Sequence, residues 1–162
     1  MNTPLLHLVL YTPQIPNNTG NIGRTALATN ARLHLIHPLG FSLSEKACRR
    51  AGLDYWEHLD VVEHADWTSY LRDADPNRIW LFSTKGGRSF REPRFAGGDH
   101  LLFGPEDRGL PPEVHDAVVR REGEPARLRI PMADRPEARS LNLATSVAIA
   151  AYEALRTIEG GF

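Results

Sequence analysis

The sequence predicts an α/β protein built on a parallel sheet, and three observations predict it. Short apolar runs alternate with longer amphipathic stretches along the chain, the pattern of buried strands separated by covering helices. The 162 residues suffice for one well-buried core and are few for two, so a single domain over 1–162 is expected. The three segments with unusual chemistry each follow an expected strand, where open α/β sheets place their ligand sites.

Taken in chain order, the run LLHLVLY predicts a strand over 5–11, and the stretch after the asparagine- and glycine-rich turn predicts a helix over 21–30. A second strand is expected over 33–37 and a helix over 44–51. A third strand over 59–63 leads to a helix over 66–74, and a fourth over 78–83 is carried by the apolar core of RIWLFS. Strands over 100–103 and 126–130 flank a helix over 112–118 that begins on a proline, as first turns tolerate. The last helix, 141–158, is apolar over far more than one stripe. No repeat, low-complexity segment or glycine- and serine-rich linker divides the chain.

Bulk composition removes whole classes. With 41% hydrophobic and 24% charged residues the chain is an ordinary globular protein, and its single cysteine, Cys48, has no internal disulfide partner. No apolar run reaches transmembrane length and the N-terminus has no signal-peptide pattern, so a cytoplasmic protein without a membrane segment is expected. A net charge of −1 means that any affinity for nucleic acid must come from a local patch. The segment holding Lys85, Arg88, Arg91 and Arg94, broken by Gly86, Gly87, Pro93, Gly97 and Gly98, reads as a mobile basic loop able to touch phosphates. His34 and His37 lie three apart on an expected strand and face opposite ways, so no metal site is expected.

The first of the three unusual loops runs from Pro16 through Asn17, Asn18, Thr19, Gly20, Asn21, Ile22 and Gly23 to Arg24. It suits a sharp strand-to-helix turn with amides free to hold an anion, without the glycine spacing of a dinucleotide fingerprint or the lysine of a P-loop. In the second, Phe103–Leu110, Gly104 admits a ligand close to the backbone. The third joins Ile130, Pro131 and Met132 through a polar spacer to Arg139, Ser140, Leu141 and Asn142, where Ser140 is either the cap of the last helix or a ligand group.

Together, in this order, the segments LYTPQIPNNTGNIGR, RRAGLDYWEH, STKG, FGPEDRGL, IPM and RSLNLATSVAIAAYEA closely resemble the SPOUT superfamily of RNA methyltransferases. Within it the chain is similar to the small tRNA (cytidine/uridine) 2′-O-methyltransferases of the wobble position. The resemblance implies a SPOUT fold with a C-terminal trefoil knot, S-adenosyl-L-methionine as cofactor, the tRNA anticodon stem-loop as substrate and a homodimer. Carried over by position, cofactor contacts fall on Phe82, Thr84, Gly104, Ile130, Ser140 and Leu141, the catalytic group on Arg24, and RNA contacts on Asn18, Lys85 and Arg88. The resemblance gives Arg24 a part in activating the ribose hydroxyl. A guanidinium stays protonated in proteins, so this arginine is either a strongly perturbed base or an orienting donor. One departure stands out: the spacer 133–138 is longer than the resemblance leads one to expect.

The last helix carries a further expectation. Its many alanines allow close approach of another helix, and a second buried face is provided by a dimer whose interface contains this helix.

Overall fold

In the computed structural model, which describes residues 3–44 and 54–158, the expected α/β class is found. The elements are β1 (Leu6–Tyr11), α1 (Pro16–Ala28), β2 (Ala31–Ile36), β3 (Val61–His64), α2 (Trp67–Ala74), β4 (Ile79–Phe82), β5 (Arg88–Ser89), β6 (Asp99–Phe103), α3 (Pro112–Glu122), β7 (Arg127–Arg129) and α4 (Leu143–Thr157). Short 3₁₀ turns occupy Trp56–His58 and Glu124–Ala126. The helix expected over 44–51 lies, beyond Ser44, outside the described residues.

The strands form one sheet in the order β3-β2-β1-β6-β4-β7-β5, every neighbouring pair parallel. Its centre is β1, β6 and β4, in which Leu6, Leu8, Leu10, Leu81, Leu101 and Leu102 are fully buried. Strands covered on both faces read as near-continuous apolar runs, which is why these were legible. At the far edge β7 lies between β4 and β5 although residues 83–87 join those two directly. The turn is pressed onto the inserted strand: Ser83 N donates to Leu128 O at 2.9 Å, and a Cβ on Gly86 would collide with the Leu128 carbonyl.

Two expectations are corrected here. The basic segment after Lys85 is not a free loop, because Phe90 and Phe95, each 3% exposed, anchor it in the core. Arg88–Ser89 also pairs with β7, and Phe90 N donates to Arg129 O at 3.0 Å. Aromatic burial outweighs the glycines and prolines that suggested mobility. The first helix starts at Pro16 rather than Asn21, so the asparagine-rich segment is its first turn and not a loop.

One sheet face carries an unusual polar core. His7 on β1, His34 on β2, His64 on β3 and His100 on β6 converge beneath Tyr70 of α2, which is fully buried. His7 Nδ1 lies 2.8 Å from His34 Nε2, His34 Nδ1 lies 2.9 Å from His64 Nε2, and the Tyr70 hydroxyl lies 2.9 Å from His100 Nδ1. The rings of His7 and His100 stack at 4.1 Å and 7°. Ring nitrogens of His7, His34 and His100 come within 4.8 Å of one another. His34 is tilted by 30° and 37° to the rings of His7 and His100, and its short nitrogen–nitrogen contacts to His7 and His64 suit hydrogen bonds between neutral imidazoles. His37, by contrast, is exposed and pairs with Glu63 at 2.6 Å, so His34 and His37 do face apart.

Burial, reinforced by neighbouring positive groups, lowers the pKa of His7 to about 4 and of His100 to about 3, and lowers that of His34 further still. In the unfolded chain these imidazoles titrate near 6.5. Below that pH the unfolded state takes up protons that the folded state refuses, so stability falls as pH drops from about 6.5 toward about 4. From His34 and His100 alone, a loss of about 2 kcal/mol is expected between pH 7 and 5.5. Urea unfolding across that range reads it; a midpoint that does not move contradicts the account.

Candidate functional site

The first helix cannot close its own N-terminus. Its cap position is Ile15, which offers no acceptor, Pro16 fills the first turn, and no acidic side chain follows. The missing acceptor arrives from the β6–α3 loop. Glu106 accepts from Gln14 N at 2.8 Å and Ile15 N at 3.1 Å, and from Asn18 Nδ2 at 3.2 Å. A carboxylate here also suits the positive end of the helix dipole. The expected anion site at this turn is therefore filled by the chain's own glutamate, a residue the sequence reading did not single out. Its signal was an acid directly after a glycine–proline turn.

The network continues into the third loop. Asn142 Nδ2 donates to Asn18 Oδ1 at 3.0 Å, while Asn142 Oδ1 accepts from Thr145 N at 3.2 Å and caps α4. Asn142, not Ser140, is thus the cap. Asn18, 8% exposed, joins the two outer loops. Gly104 also serves the loop itself: a Cβ there would lie 2.6 Å from Leu110 N and 2.8 Å from Gly109 C, so glycine lets the loop fold back on itself.

Between these loops opens a cavity of about 570 Å³. Phe82, Phe103, Ile130, Leu141 and Leu143 supply apolar wall, with Thr84, Lys85, Glu106, Ser140 and Asn142 at polar positions. The phenyl rings of Phe82 and Phe103 stack at 4.9 Å. All six expected cofactor residues, Phe82, Thr84, Gly104, Ile130, Ser140 and Leu141, line this one space, as do Asn18 and Lys85. Arg88 does not; it is held by Glu92 at 3.1 Å and the Pro125 carbonyl at 3.4 Å. Arg24 also stands outside the lining, exposed on α1, with its guanidinium 5.1 Å from the centre of the Tyr55 ring. The long spacer 133–138 is exposed and folds into tight turns, with Arg135 N bonded to Ala133 O and Ala138 N to Arg135 O.

Removing the shared acceptor tests the network. Glu106→Ala leaves two backbone amides and Asn18 to find water, and we expect a loss of about 1–3 kcal/mol in denaturant unfolding. A variant as stable as the parent would show that the loops do not depend on this carboxylate.

Comparison with known proteins agrees with the geometry. The SpoU rRNA methylase family model matches residues 5–152. The tRNA (cytidine(34)-2′-O)-methyltransferase of Saccharophagus degradans is 46% identical over 154 residues, covering 95% of this chain and 96% of its own. The enzyme of the same name from Escherichia coli K12 is 43% identical over 95% and 94% of the two chains. A solved chain from work on the 2-OH methylation of C/U34 on tRNA superposes with a TM-score of 0.83 at 49% identity, covering 96% of this chain and 97% of that one. The AdoMet-bound rRNA methyltransferase of Sinorhizobium meliloti has a TM-score of 0.78 at 28% identity, over 96% of this chain and 57% of that one. With the three-loop cavity and the parallel sheet, these matches establish that the chain belongs to the SpoU rRNA methylase family.

Proposed function

We propose that this chain is one cytoplasmic catalytic domain that methylates the 2′-hydroxyl of the wobble ribose of tRNA, on cytidine or uridine in the anticodon stem-loop, with S-adenosyl-L-methionine as methyl donor and no catalytic metal. The observation that carries the reading is the cavity itself, which gathers every expected cofactor position within three loops locked together by Glu106, Asn18 and Asn142. The relatives named for methylation of cytidine 34 of tRNA support the same substrate, and the family supports RNA methylation more broadly.

The cavity suits the methyl donor. Its apolar wall of Phe82, Phe103, Ile130 and Leu141 can cover an adenine, and its polar groups can meet the ribose and the amino-acid end. When bound, the donor supplies a methyl group on a sulfonium, open to in-line attack by a hydroxyl. What the chain contributes is position and charge. Asn18 and Asn142 hold the cavity mouth in shape, and Ser140, exposed at its rim, has a hydroxyl free to meet substrate. Arg24 orients the ribose and adjacent phosphate, stabilising the developing alkoxide as a charge-assisted donor. Lys85 at the cavity edge adds a phosphate contact.

Pairing belongs to this reading. Among the described residues the exposed large hydrophobics are Ile15, Leu27, Leu141, Ile149 and Tyr152, all on α1 and α4 or at their starts. Those two helices pack side by side, so the five side chains lie on neighbouring elements. We place the two-fold contact of a homodimer there, with α1 and its Arg24 at the junction of two subunits. The insertion of β7 between β4 and β5 supports the trefoil knot that the family resemblance implies.

A second reading, ribose methylation at another tRNA or ribosomal RNA position, shares the chemistry and differs in substrate. Mapping 2′-O-methylation in tRNA incubated with the parent protein and the donor decides between them: a new mark at nucleotide 34 is expected, and marks only elsewhere would overturn the proposal. In the same assay Arg24→Ala is expected to lose methyl transfer by about a hundredfold or more while binding the donor normally. Equal turnover at saturating tRNA removes Arg24 from the mechanism.

The dimer has its own test. Ala151 is fully buried within its own subunit, so arginine there would damage the core, whereas Tyr152 is 55% exposed. Tyr152→Glu is expected to shift sedimentation to the 18.1 kDa monomer and reduce methylation together. A parent protein that sediments as a monomer and is active would exclude pairing.

A further inference from the structure

We propose that Tyr55 is a positioning residue for Arg24, holding the guanidinium by the face of its ring so that every N–H stays available to substrate. The inference rests on the reading of Arg24 as the group that acts on the ribose. Among the described residues Arg24 has no carboxylate partner, and a free arginine side chain on a helix surface samples many rotamers. A carboxylate would fix it but would also occupy two of its donors and offset its charge. An aromatic face attracts the cation while consuming neither. Here the guanidinium carbon sits 5.1 Å from the centroid of the Tyr55 ring.

Tyr55 is itself fixed to the same helix. Its hydroxyl donates to the Gly20 carbonyl, one turn before Arg24 and the acceptor toward which the helical pattern directs the Arg24 amide. The segment carrying Tyr55 approaches this closely because residue 23 has no side chain. A Cβ there would lie 2.8 Å from Leu59 Cδ1 and 3.4 Å from both the Trp56 and Tyr55 rings. One clamp thus reaches the backbone of α1 through the Tyr55 hydroxyl and the Arg24 side chain through the ring. Tyr55 is not among the side chains lining the cavity, so it acts through Arg24 and is no catalytic residue.

The test compares Tyr55→Leu, Tyr55→Phe and phenylalanines of increasing fluorination at position 55, which keep the ring's shape while draining charge from its face. With the parent's donor affinity as the folding control, Tyr55→Leu is expected to lower kcat at saturating tRNA on the order of tenfold or more. Tyr55→Phe is expected to retain most turnover, and kcat to fall stepwise with fluorination. In an Arg24→Ala background the same changes are expected to have no further effect. If Tyr55→Leu does not fold, the fluorinated series decides alone. A kcat indifferent to fluorination, or Tyr55→Leu turning over like the parent, overturns the clamp while leaving the proposed function standing. Full activity of Arg24→Ala would instead remove the reading on which the clamp depends.

Discussion

The carboxylate of Glu106 is the constraint from which the rest of the site follows. Helix α1 enters with isoleucine at its cap and proline in its first turn, so nothing local satisfies its leading amides. A residue 92 positions from Gln14 does so instead, and the same carboxylate holds Asn18. Each bond to a charged acceptor contributes about 1.5–3 kcal/mol when its donors are shielded from water. The consequence is geometric as much as energetic. The loop that begins at Gly104 cannot shift without releasing α1, and α1 cannot shift without disturbing Asn142 and the start of α4. The cavity keeps its shape because its three walls share acceptors.

This dependence explains which parts were legible in the sequence. Central strands advertise themselves, because a strand buried on both faces must be apolar throughout, and β1, β4 and β6 were placed within a residue or two of their ends. The cavity-lining positions came from the family resemblance that the loop motifs carry, transferred position by position. The start of α1 was misplaced because its cap is supplied from far away, and sequence-local capping rules see only neighbours. The basic segment misled for a related reason. Its glycines and prolines are local signals, whereas the pull of Phe90 and Phe95 toward the core depends on a sheet edge that exists only once β7 has been inserted beside β4.

The histidine core shows the same limit from the polar side. His7, His34, His64 and His100 are separated by roughly thirty residues each, and only the parallel register brings them to one face. Judged by spacing, His34 and His37 were the pair worth weighing, yet the partners of His34 are on neighbouring strands. Neutral imidazoles can satisfy one another in a chain of donors and acceptors, so burying His34, His64 and His100 beside the half-buried His7 need not strand a polar group, provided Tyr70 covers them. That polar layer sits toward the strands' starts on β1 and β6, away from the carboxyl ends where the cavity opens.

Exposed apolar surface and the site converge on the same two helices. Helix α4 buries Val147, Ala150, Ala151, Ala154 and Leu155 against its own subunit, so its alanines serve the internal contact with α1 as well as any external one. What remains outward is Ile149 and Tyr152 on α4, with Leu27 on α1 and the rim residues Ile15 and Leu141 also exposed. Ile15 and Leu141 also line the cavity, so whatever covers this apolar face must reach the cavity mouth. In the homodimer proposed above, a second copy that covers these side chains lies next to the cavity mouth. On the proposed pairing, an arginine outside its own cavity lining can serve the cavity of the other copy.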